Sequence, residues 1–182
     1  DVYDHFGLVG PRSVLAHGIH LTEKELCRCH ESGAGVAHCP TSNLFLGSGL
    51  FDIHKAKDPR RPVHVGMGTD IGAGTSFSML ATLGEAYKVA RMGAHALDSI
   101  KGLYLATLGG ARALGLSDRI GTLQPGLEAD LVVLDPRATP LLEFRNSRAE
   151  SIEELLFVLM TLGDDRAVRA TFVAGELRHG RE

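Results

Sequence analysis

The sequence has few cysteines, no long apolar run and no excess of charge of one sign, and each scarcity excludes a class of protein. Three cysteines in 182 residues are too few, and odd in number, for a disulfide framework. We therefore expect a reducing compartment, the cytoplasm. No apolar run approaches the length of a membrane span, and no basic-then-apolar leader opens the chain. The net charge of −3 and the scattered Lys and Arg residues predict neither a nucleic-acid nor a membrane partner.

What is present is the composition of an ordinary globular protein. Hydrophobic residues make up 44% of the chain and charged residues 23%, which is enough for a real core. The length suits one domain, or one domain and part of another. The first residue is not methionine, and we expect the chain to be processed, cleaved or part of a longer polypeptide.

Over the first two-thirds of the chain, short apolar runs alternate with helix-like segments, a pattern typical of a parallel α/β sheet. The apolar runs are 13–16, 35–37 and 63–67. The clearest helix starts at Thr22, where Glu25 completes a capping box, and it stops at Gly33. Other helices are predicted at about 50–57, 76–92 and 99–116, with the Gly109-Gly110 pair joining or interrupting the last, and 41–49 is predicted as a loop.

The character of the sequence changes near residue 118. A turn at Gln124-Pro125-Gly126 precedes a predicted strand at 131–134, a helix at about 151–162 and a last strand at 170–174. We therefore predict two units, 1–117 and a small β-rich subdomain at 118–182.

A polar or titratable residue follows each of the three predicted parallel strands, namely His17, His38 and Asp70. The carboxyl ends of parallel strands meet at one edge of a sheet, where α/β proteins carry their catalytic groups and ligands. An aspartate and histidines at that edge suit metal-assisted hydrolysis, in which a metal ion acidifies a water molecule. Each residue also has a structural interpretation: the histidines as groups that cap or shape the strand ends, and Asp70 as a turn residue that binds backbone N–H groups.

The sequence does not supply a complete metal site. Catalytic zinc usually has three protein ligands and a water, yet the chain contains no His-x-His pair and no Pro-Cys-x-x-Cys motif. Cys27 and Cys29 lie two apart on a predicted helix, so they point to different faces, and we interpret them as packing residues. The residues alone therefore support only part of a site.

Three motifs together resemble the amidohydrolase superfamily: Val-Leu-Ala-His-Gly at 14–18, His-Cys-Pro-Thr-Ser-Asn-Leu at 38–44, and Gly-Thr-Asp-Ile-Gly-Ala-Gly-Thr-Ser at 68–76. Within it, the segments 70–80 and 162–166 are similar to those of the guanine deaminases. The resemblance covers essentially the whole chain.

The resemblance implies a (βα)₈ TIM-type barrel of which 1–117 supplies about strands six to eight, followed by the C-terminal part of a flanking β-sandwich with one helix. It implies zinc, with Fe²⁺ as the other metal, bound in part by Asp70. It also implies that Asp70 and His17 are catalytic, that His38 is structural, and that guanine is hydrolysed to xanthine and ammonia by a homodimer. The other metal ligands and the guanine-recognising residues of the family have no counterpart here. We therefore expect a C-terminal portion with an incomplete active site that is inactive alone.

Three alternatives remain open from the sequence. The chain could belong to an amidohydrolase that acts on another purine or on a triazine. It could be a truncated barrel module without catalysis. It could also be a small open α/β domain in which His17 and Asp70 are structural.

Overall fold

The structure is a computed structural model, and it describes residues 2–181. Its elements, in chain order, are α1 (Val2–His5), β1 (Val14–Ala16), α2 (Glu23–Ser32), β2 (Gly35–His38), α3 (Pro40–Phe45), α4 (Ile53–Ala56), β3 (His64–Met67), α5 (Met79–Met92), α6 (Ser99–Ala106), α7 (Leu108–Ala113), β4 (Leu131–Leu134), α8 (Pro140–Asn146), α9 (Ile152–Leu162), β5 (Val168–Val173) and β6 (Glu176–Gly180).

The first three strands form a parallel sheet in the order β1-β2-β3. Leu15 pairs with Val36, and Val36 pairs with Val65, so the strand ends lie side by side. Val36 and Val65 are 0% and 1% exposed, because helices cover the sheet and bury its apolar residues. The predicted parallel α/β arrangement is confirmed in this part of the chain.

Helix α2 begins and ends where the sequence predicts. The hydroxyl of Thr22 accepts a hydrogen bond from the backbone N–H of Glu25, and the Glu25 carboxylate accepts one from the backbone N–H of Thr22. Gly33 then ends the helix in the left-handed conformation, with φ of 73°. The capping box is therefore confirmed.

Two local predictions are wrong. The segment predicted as a loop at 41–49 contains α3, which starts with Pro40 in its first turn. The helical region at 99–116 is interrupted at Thr107, which has φ of −124° and ψ of −101°, and not at Gly109-Gly110. Both glycines lie inside α7, where their missing side chains allow the helix to approach β3 closely.

The contact between β3 and α7 requires glycine at position 66. A Cβ atom added to Gly66 would lie 2.7 Å from the Cα of Gly110, which is too close for any carbon pair. This contact holds α7 against the strand that leads to Asp70.

We expect the substitution Gly66→Ala to lower the free energy of unfolding by about 1–3 kcal/mol, because the sheet and α7 must separate to admit the methyl group. The measurement is the midpoint temperature of thermal unfolding of the complete protein that carries this chain, which the substitution should lower. Gly10→Ala is the matched control, since a Cβ at Gly10 meets nothing within 4 Å. Equal midpoints for the two variants would contradict the prediction.

The second part of the chain contains an antiparallel sheet of β4, β5 and β6 and the helices α8 and α9. Helix α9 packs on the first part: the Ser99 hydroxyl donates a 2.8 Å hydrogen bond to the Glu153 carbonyl, and the rings of Tyr87 and Phe157 meet edge-to-face. The strands at 131–134 and 170–174 and the helix at 151–162 are confirmed within a few residues. The boundary near 118 and the β-sandwich stay predictions.

Within residues 2–181, none of the helices combines the length and the apolar character that a membrane crossing requires.

Candidate active site

The ends of β1, β2 and β3 form one edge of the parallel sheet. The backbone N–H of His17 donates a 2.9 Å hydrogen bond to the carbonyl of Ala37, and that of Gly68 donates one of 2.9 Å to the carbonyl of His38. These bonds extend the strand pairing by one step, so the residues that follow the strands are neighbours in space.

His17 and Asp70 face each other at this edge. Nε2 of His17 lies 3.8 Å from Oδ2 of Asp70, and the two side chains are 42% and 35% exposed. The separation is too long for a direct hydrogen bond, but an oxygen atom of a water or a substrate can contact both groups at once. The structure therefore brings these two predicted residues together around an accessible space.

Both residues have strained backbones. His17 and Asp70 have φ of 70° and 48°, and among the non-glycine residues of the described chain only Ala94 and Ala174 share a positive φ. At His17 the strain belongs to a γ-turn, closed by a 2.9 Å hydrogen bond from the N–H of Gly18 to the carbonyl of Ala16. Such conformations cost free energy and cluster at functional sites, which favours the functional interpretation of both residues over the structural one.

The glycine-rich loop after Asp70 folds back on that residue. The N–H of Gly74 hydrogen-bonds the carbonyl of Asp70, and Ile71 and Gly74 form an isolated bridge. A Cβ on Gly74 would lie 1.9 Å from the carbonyl oxygen of Thr69, so only glycine fits there. This loop holds Asp70 in its strained conformation.

His38 lies beneath this edge and does not face the accessible space. It is 1% exposed, its ring lies 5.1 Å from that of Phe51, and burial lowers its pKa to about 4. Histidine is therefore neutral at this position near pH 7. These facts suit the structural role expected for His38.

Cys39 follows His38 and is also buried. Burial raises the pKa of its thiol. A hydrogen bond with the His17 backbone lowers it in part and the nearby charge of Asp70 adds to the rise, so the thiol stays protonated near neutral pH. Cys27 is half-buried and Cys29 is buried, and all three cysteines are free thiols.

Sequence reasoning missed the contribution of Asn43. Its Oδ1 atom lies 2.8 Å from Nδ1 of His17, and the residue is 1% exposed. The misleading signal was the Gly-, Ser- and Asn-rich composition of 41–49, which predicted a loop. The proline at the start of α3 was the signal that could have placed Asn43 on a helix directed at the site.

A complete metal site is not formed by residues 2–181, where no group of three or more His, Cys, Asp and Glu side chains is arranged to hold an ion. Asp70 and His17 have the right chemistry for part of one. Zinc lies about 2.0–2.2 Å from nitrogen and oxygen ligands, so atoms 3.8 Å apart can contact the same ion. The carboxylate of Asp70 therefore fits one ligand position of a zinc site, with the imidazole of His17 beside it.

Known proteins are similar to this chain in sequence and in fold. The guanine deaminase of Escherichia coli (strain K12) is 54% identical over 181 residues, which are all of this chain and 41% of that protein. The solved structure of E. coli guanine deaminase superposes with a TM-score of 0.96 at 53% identity, over 100% of this chain and 42% of that one. An adenosine deaminase from Xanthomonas campestris with bound zinc matches with a TM-score of 0.82 at 34% identity, over 97% of this chain and 39% of that one.

The chain thus spans about two-fifths of the length of the curated relatives that it matches. The profile of the amidohydrolase family matches residues 1–178, nearly the whole chain. The chain belongs to the amidohydrolase family.

Proposed function

We propose that this chain is the C-terminal portion of an enzyme that hydrolyses guanine to xanthine and ammonia. The observation that carries the proposal is the pairing of His17 with Asp70 at the strand ends of a chain 54% identical to a guanine deaminase. The two residues follow different strands and both have a positive φ, which suits a shared site better than two separate turns.

In this proposal β1, β2 and β3 are strands six, seven and eight of a (βα)₈ barrel within 1–117. The sheet of β4, β5 and β6 is part of a flanking β-sandwich within 118–182. The solved relatives extend well beyond the part that matches, which leaves room for the remaining strands and metal ligands. The chain alone then has an incomplete active site.

The proposed metal ligand of this chain is Asp70, and the metal is zinc. The carboxylate oxygen is an ordinary zinc ligand, and the family includes relatives whose structures hold zinc. When bound, such an ion lowers the pKa of a water molecule to about 7.

Asp70 and His17 then have different roles: Asp70 transfers the proton and His17 positions the water. The carboxylate of Asp70 accepts one proton from the attacking water, whose oxygen forms a bond to C2 of guanine while the electron pair of the C2=N3 double bond moves to N3. Asp70 then returns that proton to the exocyclic amine, the C2–N bond breaks so that ammonia leaves, and the pair on N3 forms the C2=N3 bond again. The remaining hydroxyl proton moves to N3, which gives xanthine. His17, whose Nε2 lies 3.8 Å from Oδ2 of Asp70, orients the attacking water.

A second purine substrate has one observation in its favour. The Xanthomonas campestris protein described as an adenosine deaminase is 34% identical over 97% of this chain, so the same barrel segment occurs with another substrate. The residues of this chain that face the site carry out the proton transfers, and they do not distinguish one purine from another.

We expect the complete protein that carries this chain to convert guanine to xanthine, with little activity on adenosine, S-adenosylhomocysteine or chlorotriazines. The measurement is product formation by chromatography, on a sample whose intact mass is determined in parallel. A chelator should abolish the activity and added zinc should restore it. Preference for one of the other substrates, or activity that survives complete metal removal, would contradict the proposal.

Two further proposals accompany this function. The three free thiols suit a reducing compartment, and we place the enzyme in the cytoplasm. Homodimer formation, implied by the family resemblance, stays a prediction that a sedimentation measurement would test.

A further inference from the structure

The geometry points to Asn43 as a positioning residue that holds the imidazole of His17 in the orientation the reaction needs, an inference that rests on the proposed function. Oδ1 of Asn43 lies 2.8 Å from Nδ1 of His17, on the side of the ring opposite the atom that faces Asp70. The two residues are 26 positions apart in the sequence, so the fold brings them together.

Backbone hydrogen bonds and burial fix the position of Asn43. Its N–H donates a 3.0 Å hydrogen bond to the carbonyl of Cys39, and its carbonyl accepts a 2.9 Å bond from the N–H of Ser48. The side chain is 1% exposed, so water does not compete for the amide. Because α3 follows β2 directly, the amide has a defined position relative to the strand ends.

The hydrogen bond selects one form of the imidazole ring. In the structure the Oδ1 atom of Asn43, which only accepts hydrogen bonds, faces Nδ1 of His17. We infer from this orientation that Nδ1 carries the proton and that the neutral ring has its lone pair on Nε2. That lone pair faces Oδ2 of Asp70 across 3.8 Å, a gap that a water oxygen can bridge. Asn43 therefore presents Nε2 as an acceptor to the attacking water.

A purely structural role explains Asn43 poorly. Its Nδ2 atom is buried and has no hydrogen-bond partner among the described residues. A buried amide with an unpaired donor destabilises a protein, and a leucine of similar size would avoid that cost. Ser42 also has a buried oxygen without a partner, so what distinguishes Asn43 is the contact that its oxygen makes with His17.

The first test is a double-mutant cycle in the complete protein. We expect Asn43→Leu to lower kcat for guanine by about 10- to 100-fold while KM changes little, the usual size of a positioning effect. In a His17→Ala background, Asn43→Leu should cause no further loss, because Asn43 acts only through that ring. An equal loss in both backgrounds would overturn the inference.

Ser42→Ala is the matched control for this cycle. Ser42 lies on the same helix, is 0% exposed and also has a buried oxygen without a partner, but it makes no hydrogen bond to His17. We expect normal kcat for this variant. A loss as large as that of Asn43→Leu would show that any change in α3 disturbs the site, and would overturn the specific role of Asn43.

The second test needs no variant of Asn43, so it decides the matter even if Asn43→Leu fails to fold. The complete protein is labelled with ¹⁵N at histidine, and the His17 signals are assigned by their loss in His17→Ala. We expect the proton on Nδ1, and a ring protonated at Nε2 with bare Nδ1 would overturn the inference. Because the NMR experiment involves no substrate, it tests the contact of Asn43 with His17 independently of whether the protein deaminates guanine.

Discussion

Replacing Asp70 by asparagine in the complete protein is expected to lower the turnover of guanine by several orders of magnitude. The amide keeps the size of the carboxylate but loses its charge, so it binds a metal ion poorly and cannot accept a proton from water. Loss of proton transfer alone costs about 10²- to 10⁴-fold. The measurements are kcat for guanine and the zinc content of the purified variant.

Asp118→Asn is the control for this experiment, because Asp118 is exposed and lies far along the chain from the strand ends. It should have normal activity and normal zinc content. If Asp70→Asn also deaminated guanine at a near-normal rate, Asp70 would be neither the proton acceptor nor a necessary ligand, and the site assignment would be wrong.

The second large effect concerns the 182-residue chain produced alone. We expect it to bind no zinc tightly and to leave guanine unchanged, because the chain supplies one strong ligand, Asp70, where a catalytic zinc site normally has three protein ligands. The measurement is the zinc content of the isolated chain after dialysis, compared with that of the complete protein in the same buffer. One tightly bound zinc ion per isolated chain would contradict the prediction.

This experiment needs a measurement of folding, because the isolated chain exposes large apolar side chains. Phe77 is 82% exposed near the candidate site, and on the antiparallel sheet Leu177 and Val132 are 59% and 53% exposed. Such surfaces promote association when they are not covered. Circular dichroism and sedimentation of the isolated chain would separate a folded chain without zinc from an aggregated one.

Local features of the fold could be predicted because they depend on residues close together in sequence. The capping box at Thr22 and Glu25 spans one helical turn, and its side-chain chemistry alone determines where α2 begins. The three apolar runs, each followed by a polar residue, were sufficient to place His17 and Asp70 after parallel strands.

The errors arose where distant parts of the chain decide the local structure. The Gly109-Gly110 pair looked like a helix interruption, yet both residues remain helical because α7 packs against Gly66. The composition of 41–49 favoured a loop, yet the burial of α3 outweighs its weak helix propensity.

The sequence by itself indicated the family of the protein, the parallel α/β class and the two residues at the strand ends that carry the proposed chemistry. Only the tertiary structure decided that Nε2 of His17 faces Asp70, that both residues are strained, and that Asn43 holds the opposite side of the imidazole ring. The physical reason is the separation of the interacting residues along the sequence. Periodicity and capping depend on residues a few positions apart, whereas the contact of His17 with Asn43, across 26 positions, depends on sheet register and helix packing.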